Sequence, residues 1–277
     1  MARLEVSDVS ARFPTFYLTH GGGPWPYMSE EARRPFSRLE ESLRELPRQL
    51  PRKPEAILIV SGHWEEREFA VMASAAPPMV YDYGGFPEQM YHIRYPAAGS
   101  PQVAQRAHSL IQQAKLPTRL DVDRGFDHGT YSILAVTHPK ADVPVFQVSL
   151  RAGYDPEAHL QLGRALAPLR DEGVLIIGSG SSYHNLRRFF GPRGRREDSA
   201  QFDGWLRETL VDSAPGRRSE RLIDWERAPA AREAHPREDH LMPLHVAVGA
   251  AEEEPGRLTY SQEDFLGTIA LSSYRFG

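Results

Sequence analysis

Apolar residues along the chain fall into two kinds of pattern. Apolar runs of strand length recur at Phe16–Leu18, Ala56–Val60, Phe69–Ala73, Val143–Leu150, Val174–Ile177 and Ile269–Tyr274. Between them, apolar positions recur at helical spacing. Val103, Ala107, Leu110 and Ile111 share one face of a segment opened by Ser100-Pro101. Asp155-Pro156 opens another, and Gly173 sits where a helix C-terminal glycine belongs. Leu39, Leu43, Leu46 and Leu50 stripe the segment 29–50, with Pro35 delaying its helix. This alternation predicts a single α/β domain spanning 1–277, with a central, mostly buried sheet flanked by helices. No long linker divides it; RRFFGPRGRRED reads as a loop between Leu186 and a helix near Ser199.

Three of these strands run into histidines. FYLTHGGGP ends on His20 with three glycines behind it, AILIVSGHWE ends on His63, and GVLIIGSGSSYHN places His184 a few small residues beyond its strand. In α/β sheets ligands bind beyond the carboxyl ends of strands, where side chains from several strands converge. A lone histidine there is ordinarily structural, but three in equivalent places point to a shared site, here a metal site. The glycines after His20 would then clear the floor for a bulky ligand. HGGGP lacks the lysine and hydroxyl residue of a phosphate loop, and GSGSS lacks both the dinucleotide fingerprint and the G-x-S-x-G elbow of a serine hydrolase.

A further cluster, REAHPREDHLMPLHVAVGAA, carries His235, Glu238, Asp239, His240 and His245 into an apolar helix. His240, at the helix start, can project into a crevice; His235 or the carboxylates are the alternatives. His245 faces into the helix and reads as structural, as do His92, His108, His138 and His159. His128, in GFDHGTYS, falls in a turn after a short strand and is a further candidate.

Composition narrows the chemistry. The chain has no cysteine among 277 residues, so neither disulfides nor a thiolate metal site is available, and metal chemistry falls to eleven histidines. The formal charge of −4 gives no sign of a nucleic-acid or membrane partner. MARLEVSDVSARFP lacks the apolar core of a signal peptide, and no run approaches the ~20 apolar residues of a membrane span. A cytoplasmic protein is the expectation, with its oligomeric state open.

Six stretches in order, THGGGP, SGHWE, YDYGGFPEQMYHIRYPAAGSP, RGFDHGTYSIL, GSGSSYHNLR and AHPREDHLMPLHVAVGAA, resemble the class III extradiol ring-cleavage dioxygenases, in their 4,5-DOPA dioxygenase-like branch. The resemblance implies one α/β domain around a mononuclear non-haem metal. It implies His20, His63 and His240 as ligands, His184 as a further ligand or the acid–base, and His128 lining the substrate pocket. Two positions depart from the branch pattern. HGGGP stands where H-G-S-P is usual, which bears on the substrate, and Asp239 stands where a glutamate usually precedes the last histidine.

Ring cleavage needs a redox metal because closed-shell catechol and triplet oxygen react slowly alone. Three facial protein ligands leave positions for both reactants, so Fe(II) is the expected cofactor, with catechol and O2 as partners. Non-haem iron usually takes two histidines and a carboxylate, whereas three histidines also suit Zn(II), so Asp239 or Glu238 can replace His240. His184 is the expected acid–base and His128 its hydrogen-bonding companion, since an imidazole titrates near neutrality. The aromatic loop YDYGGFPEQMYHIRYP is expected to shape the pocket. Arg187, Arg188 or the RGRR cluster can meet a substrate carboxylate, although a solvated loop is the simpler reading. The alternatives are a zinc-dependent hydrolase on the same histidines and a non-enzymatic binding protein.

Overall fold

The computed structural model describes residues 11–189 and 196–277. The first ten residues of the N-terminal stretch and the Arg193 to Arg195 part of the basic cluster lie outside the described residues. One eight-stranded sheet organises the chain. In chain order its strands are β1 (Thr15–Thr19), β2 (Ala56–Glu66), β3 (Phe69–Met72), β4 (Thr118–Asp121), β5 (Val145–Arg151), β6 (Val174–Gly180), β7 (Gly256–Phe265) and β8 (Ile269–Phe276). Their spatial order is β4-β3-β5-β2-β6-β1-β8-β7.

The middle of the sheet, β5-β2-β6-β1, is parallel. These strands read as mostly apolar runs, and they are buried almost throughout, as strands in the middle of a helix-flanked parallel sheet are. Antiparallel β3 and β8 flank this block. All six apolar runs form strands. The pattern missed β7, whose GRLTYSQEDF is largely polar because an edge strand buries only part of one face. β4 is the short strand expected before His128 and forms the opposite edge.

The helices match their start signals with one exception. Asp155 accepts a hydrogen bond from the Glu157 amide at the head of Pro156–Leu166, whereas Ser100 makes no such cap for Pro101–Gln113. Proline at the first position already removes one of the unpaired amides there. The 29–50 stripe breaks into a short helix Glu30–Arg33, a 3-10 turn at Pro35 and the helix Ser37–Glu45, with Leu39, Leu43 and Leu46 buried. His128 lies in no turn: it begins the helix His128–Thr137, which Asp127 caps by accepting from the Thr130 amide.

The helix Met242–Gly249 is buried all round and packs against β6, β1 and the helix Pro156–Leu166. Two glycines of β6 permit this. A Cβ on Gly178 would lie 2.2 Å from the Pro243 carbonyl oxygen, and one on Gly180 would lie 2.1 Å from that of His240. The backbone before the helix is thereby brought against the end of β6. No helix among the described residues is long and apolar enough to cross a membrane.

Candidate metal centre

Three elements deliver three histidines to one point. His20 directly follows β1, and its amide donates to the Gly180 carbonyl, continuing the β1–β6 ladder by one residue. His63 lies within β2 where the register with β5 shifts between Val60 and Glu65, a bulge that re-aims side chains near a strand end. His240 precedes its helix, and its carbonyl accepts from the Tyr17 hydroxyl at 2.7 Å and from the Ser181 amide at 3.1 Å. The Nε2 atoms of His20 and His63 are 3.2 Å apart, and those of His63 and His240 are 3.1 Å apart.

The surrounding hydrogen bonds fix where the protons sit. Ser179 gives its hydroxyl proton to the Gly129 carbonyl at 2.6 Å, so its oxygen accepts from Nδ1 of His20 at 3.1 Å. His63 Nδ1 faces Asp82 Oδ2 at 3.2 Å, and a carboxylate only accepts. Both imidazoles therefore carry their proton on Nδ1 and aim an unprotonated Nε2 at the same space. No hydrogen fills the contact between these two lone pairs, and a cation between them removes their repulsion. Nitrogens about 2.1 Å from a common ion are about 3.0 Å apart at right angles and about 3.4 Å apart at tetrahedral angles. The separations of 3.1 and 3.2 Å lie in that interval. The donor set fits a metal ion.

Charge state agrees with this arrangement. Burial first, and neighbouring imidazoles second, push His20 and His240 well below the ordinary histidine range. Burial, then His128, brings His63 down to about 3 against the partial opposition of Asp82. All three imidazoles are therefore neutral at pH 7.

His184 and His128 flank this triad differently. The His184 ring stacks on His240, with centroids 3.3 Å apart and planes 12° from parallel, while its Nδ1 is 3.9 Å from Asp239 Oδ1. Burial lowers its pKa, with Asp239 pulling the other way. His128 packs on His63 at a centroid distance of 3.9 Å, and its Nδ1 donates to Asp82 Oδ1 at 2.9 Å. Burial alone would raise the Asp82 pKa, but the bond from His128 and the nearby imidazoles hold it below the usual carboxylate range.

Of the carboxylates raised as alternative ligands, one is engaged by an arginine and the other meets the Nδ1 side of His184 and His240. Glu238 pairs with Arg232 at 2.7 Å. Asp239 accepts from the His240 amide at 2.9 Å and lies 3.1 Å from His240 Nδ1, behind the imidazole. His235 donates Nε2–H to the Ser182 carbonyl, and His245 sits in its helix between the carbonyls of Leu241 and Leu222, both structural placements. Arg188 ion-pairs with Asp198.

Two of the glycines of HGGGP serve close packing and the turn, while Gly22 faces open space where a Cβ would stand. Gly21 and Gly23 have left-handed φ of 75° and 56°, and a Cβ on each would meet the Trp25 indole at 2.6 Å and the Phe86 ring at 2.7 Å. They let the chain turn and admit two aromatic rings. Asp82 is the residue that sequence reasoning missed. It stands in the quoted aromatic loop, but only folding brings position 82 to positions 63 and 128.

A family model described as the catalytic LigB subunit of aromatic ring-opening dioxygenase matches residues 14–277. The chain belongs to the LigB family. It is 38% identical over 266 residues to a Beta vulgaris protein named 4,5-DOPA dioxygenase extradiol, covering 95% of this chain and 96% of that one. It is 33% identical to an Escherichia coli K12 protein of the same name, over 98% of each chain. The crystal structure of an uncharacterised E. coli K12 protein superposes with a TM-score of 0.77 at 30% identity, covering 96% of this chain and all of that one. As a LigB-family member the chain is a metal-dependent ring-cleavage dioxygenase, and its histidine cluster lies at the carboxyl-end side of the parallel strands, with His20 just past β1, His63 near the end of β2 and His240 against the end of β6.

Proposed function

We propose that this enzyme opens the ring of a catechol-type, DOPA-like substrate with O2, using Fe(II) held by His20, His63 and His240. The observation that carries the reading is the convergence of three Nε2 atoms, two of them with no proton between them. The names of the Beta vulgaris and E. coli relatives support the substrate class. Fe(II) bound by these nitrogens supplies open positions for the catecholate and oxygen, and a one-electron route between reactants whose spins otherwise forbid direct reaction.

The chain's own residues handle position and protons. His184, neutral and beside the triad, takes a proton from a substrate hydroxyl on binding and returns one to the leaving oxygen. His128 keeps its Nδ1 proton on Asp82 and offers Nε2 to the substrate. Tyr83, edge-on to His128 at 5.9 Å, is placed to meet an aromatic ring bound beside that histidine.

The test is anaerobic loading with Fe(II), then a panel of catechols including DOPA with O2 admitted. Ring opening is expected to give yellow semialdehyde absorbance and to consume one O2 per ring, and to fail with Zn(II), which has no accessible redox step. Equal rates under nitrogen would overturn the reading and leave metal-activated water as the nucleophile.

A further inference from the structure

Among the described residues, Asp82 is the one carboxylate that meets two of the clustered histidines with separate oxygens. Oδ2 faces His63 Nδ1 at 3.2 Å, and Oδ1 accepts from His128 Nδ1 at 2.9 Å and from the His128 amide at 3.1 Å. It is held among elements that are distant in sequence, β2 and the helix His128–Thr137. It also belongs to the aromatic segment 81–96, which is closed upon itself by Tyr81 donating to the Ile93 carbonyl and Tyr83 to the Met90 carbonyl. The segment is fastened to the body by Val80 donating to the Phe126 carbonyl and by Phe86 lying where a Gly23 side chain would be.

We propose that Asp82 is a positioning residue acting through His63 and His128, which fixes both rings with Nε2 unprotonated and ties the seating of segment 81–96 to metal binding. The carboxylate geometry supports the first part. With only acceptor oxygens, it forces each Nδ1 to carry the proton, and one rigid group sets the relative orientation of two rings already in contact. The second part follows by linkage. If metal is bound more tightly when His63 is oriented, and Asp82 orients His63 only while its segment is seated, then metal binding favours the seated segment by the same factor. Tyr83, edge-on to His128 at 5.9 Å, rides on that segment, so its ring would be positioned together with the metal site. This inference rests on the triad being a metal site.

The experiment uses Co(II) and Zn(II), with no turnover required. Asp82→Ala is expected to weaken metal binding by about 10- to 100-fold in chelator competition, the usual effect of removing such a partner. Asp82→Asn, isosteric but with one acceptor oxygen, is expected to fall between, and Asp82→Glu to recover part of the loss. Hydrogen exchange gives the readout a merely structural role would not move. In the wild type, metal should slow exchange across 81–96, and in Asp82→Asn at saturating metal it should no longer do so. Unchanged affinity in both variants, or metal-dependent slowing retained in Asp82→Asn, overturns the proposal. Wild-type protein that binds neither metal overturns the metal-site reading itself.

Discussion

His184→Ala separates a proton-handling residue from a ligand, and the structure sets two different magnitudes for the two roles. The ring lies flat on His240 at a centroid distance of 3.3 Å, so its removal loses one stacked aromatic contact against a ligand. Aromatic pairs contribute about 0.5–1.5 kcal/mol beyond their buried area, which bounds the weakening of metal affinity at about tenfold. Removing a general acid–base costs about 10²–10⁴ in turnover, or about 2.7–5.4 kcal/mol of barrier. The variant should therefore retain metal at ordinary loading concentrations while turnover collapses, and one limb of its pH–rate profile should vanish. Iron content by elemental analysis and catechol-dependent O2 uptake, measured on one preparation, decide the matter. Iron falling in step with activity would refute the reasoning. His184 would then be a ligand, and proton transfer would pass to His128.

Three further outcomes follow from the geometry. His240→Ala should lose most bound metal while Glu238→Ala, which breaks only the pair with Arg232 at 2.7 Å, keeps it; the reverse pattern in metal analysis would make Glu238 the third ligand. His159 is buried, accepts the Arg151 amide on Nε2 and is lowered to about 4 by burial, from an ordinary 6.5. Its folded pKa is depressed, so the unfolded chain protonates first, and stability present above about 6.5 is lost as pH falls towards about 4. The loss is about 2 kcal/mol by pH 5. Urea midpoints at pH 7 and pH 5 should show this slope in the wild type and a flatter one in His159→Asn, and parallel slopes would contradict the assignment. Gly180→Ala should fold poorly or bind metal more weakly, because its Cβ would lie 2.1 Å from the His240 carbonyl oxygen; unaltered Co(II) affinity in a folded variant would show that His240 is not placed by that contact.

The parts of the molecule legible in the sequence are those governed by burial on both faces. Strands such as AILIV and VLII announce themselves because residues in the middle of a parallel sheet are buried on both faces and are mostly apolar, and histidines stand near or past the ends of these runs. β7 could not be read this way, since an edge strand with alternating burial has no apolar run. The packing role of Gly21 and Gly23 was not legible, because Trp25 and Phe86 reach them only in the folded chain. Asp82 lacked any local signal for the same reason. A carboxylate in an aromatic loop becomes informative only when two imidazoles face it.

The close approach of the His240 backbone to Gly180 has a consequence for how this enzyme can change. His20 and His63 are continuous with β1 and β2, and His240 is pinned to the end of β6 at main-chain level, so the geometry of the three imidazoles inherits the stiffness of the sheet. Tyr83 stands instead on a connecting segment that the sheet does not dictate. Mutational tolerance should be divided accordingly. Libraries aimed at new substrates belong in segment 81–96 with Asp82 held fixed, while replacements at the glycines of β6 would be purged before any substrate is seen. The same catalytic chemistry can thus be re-addressed to different aromatic rings without rebuilding the part of the protein that performs it.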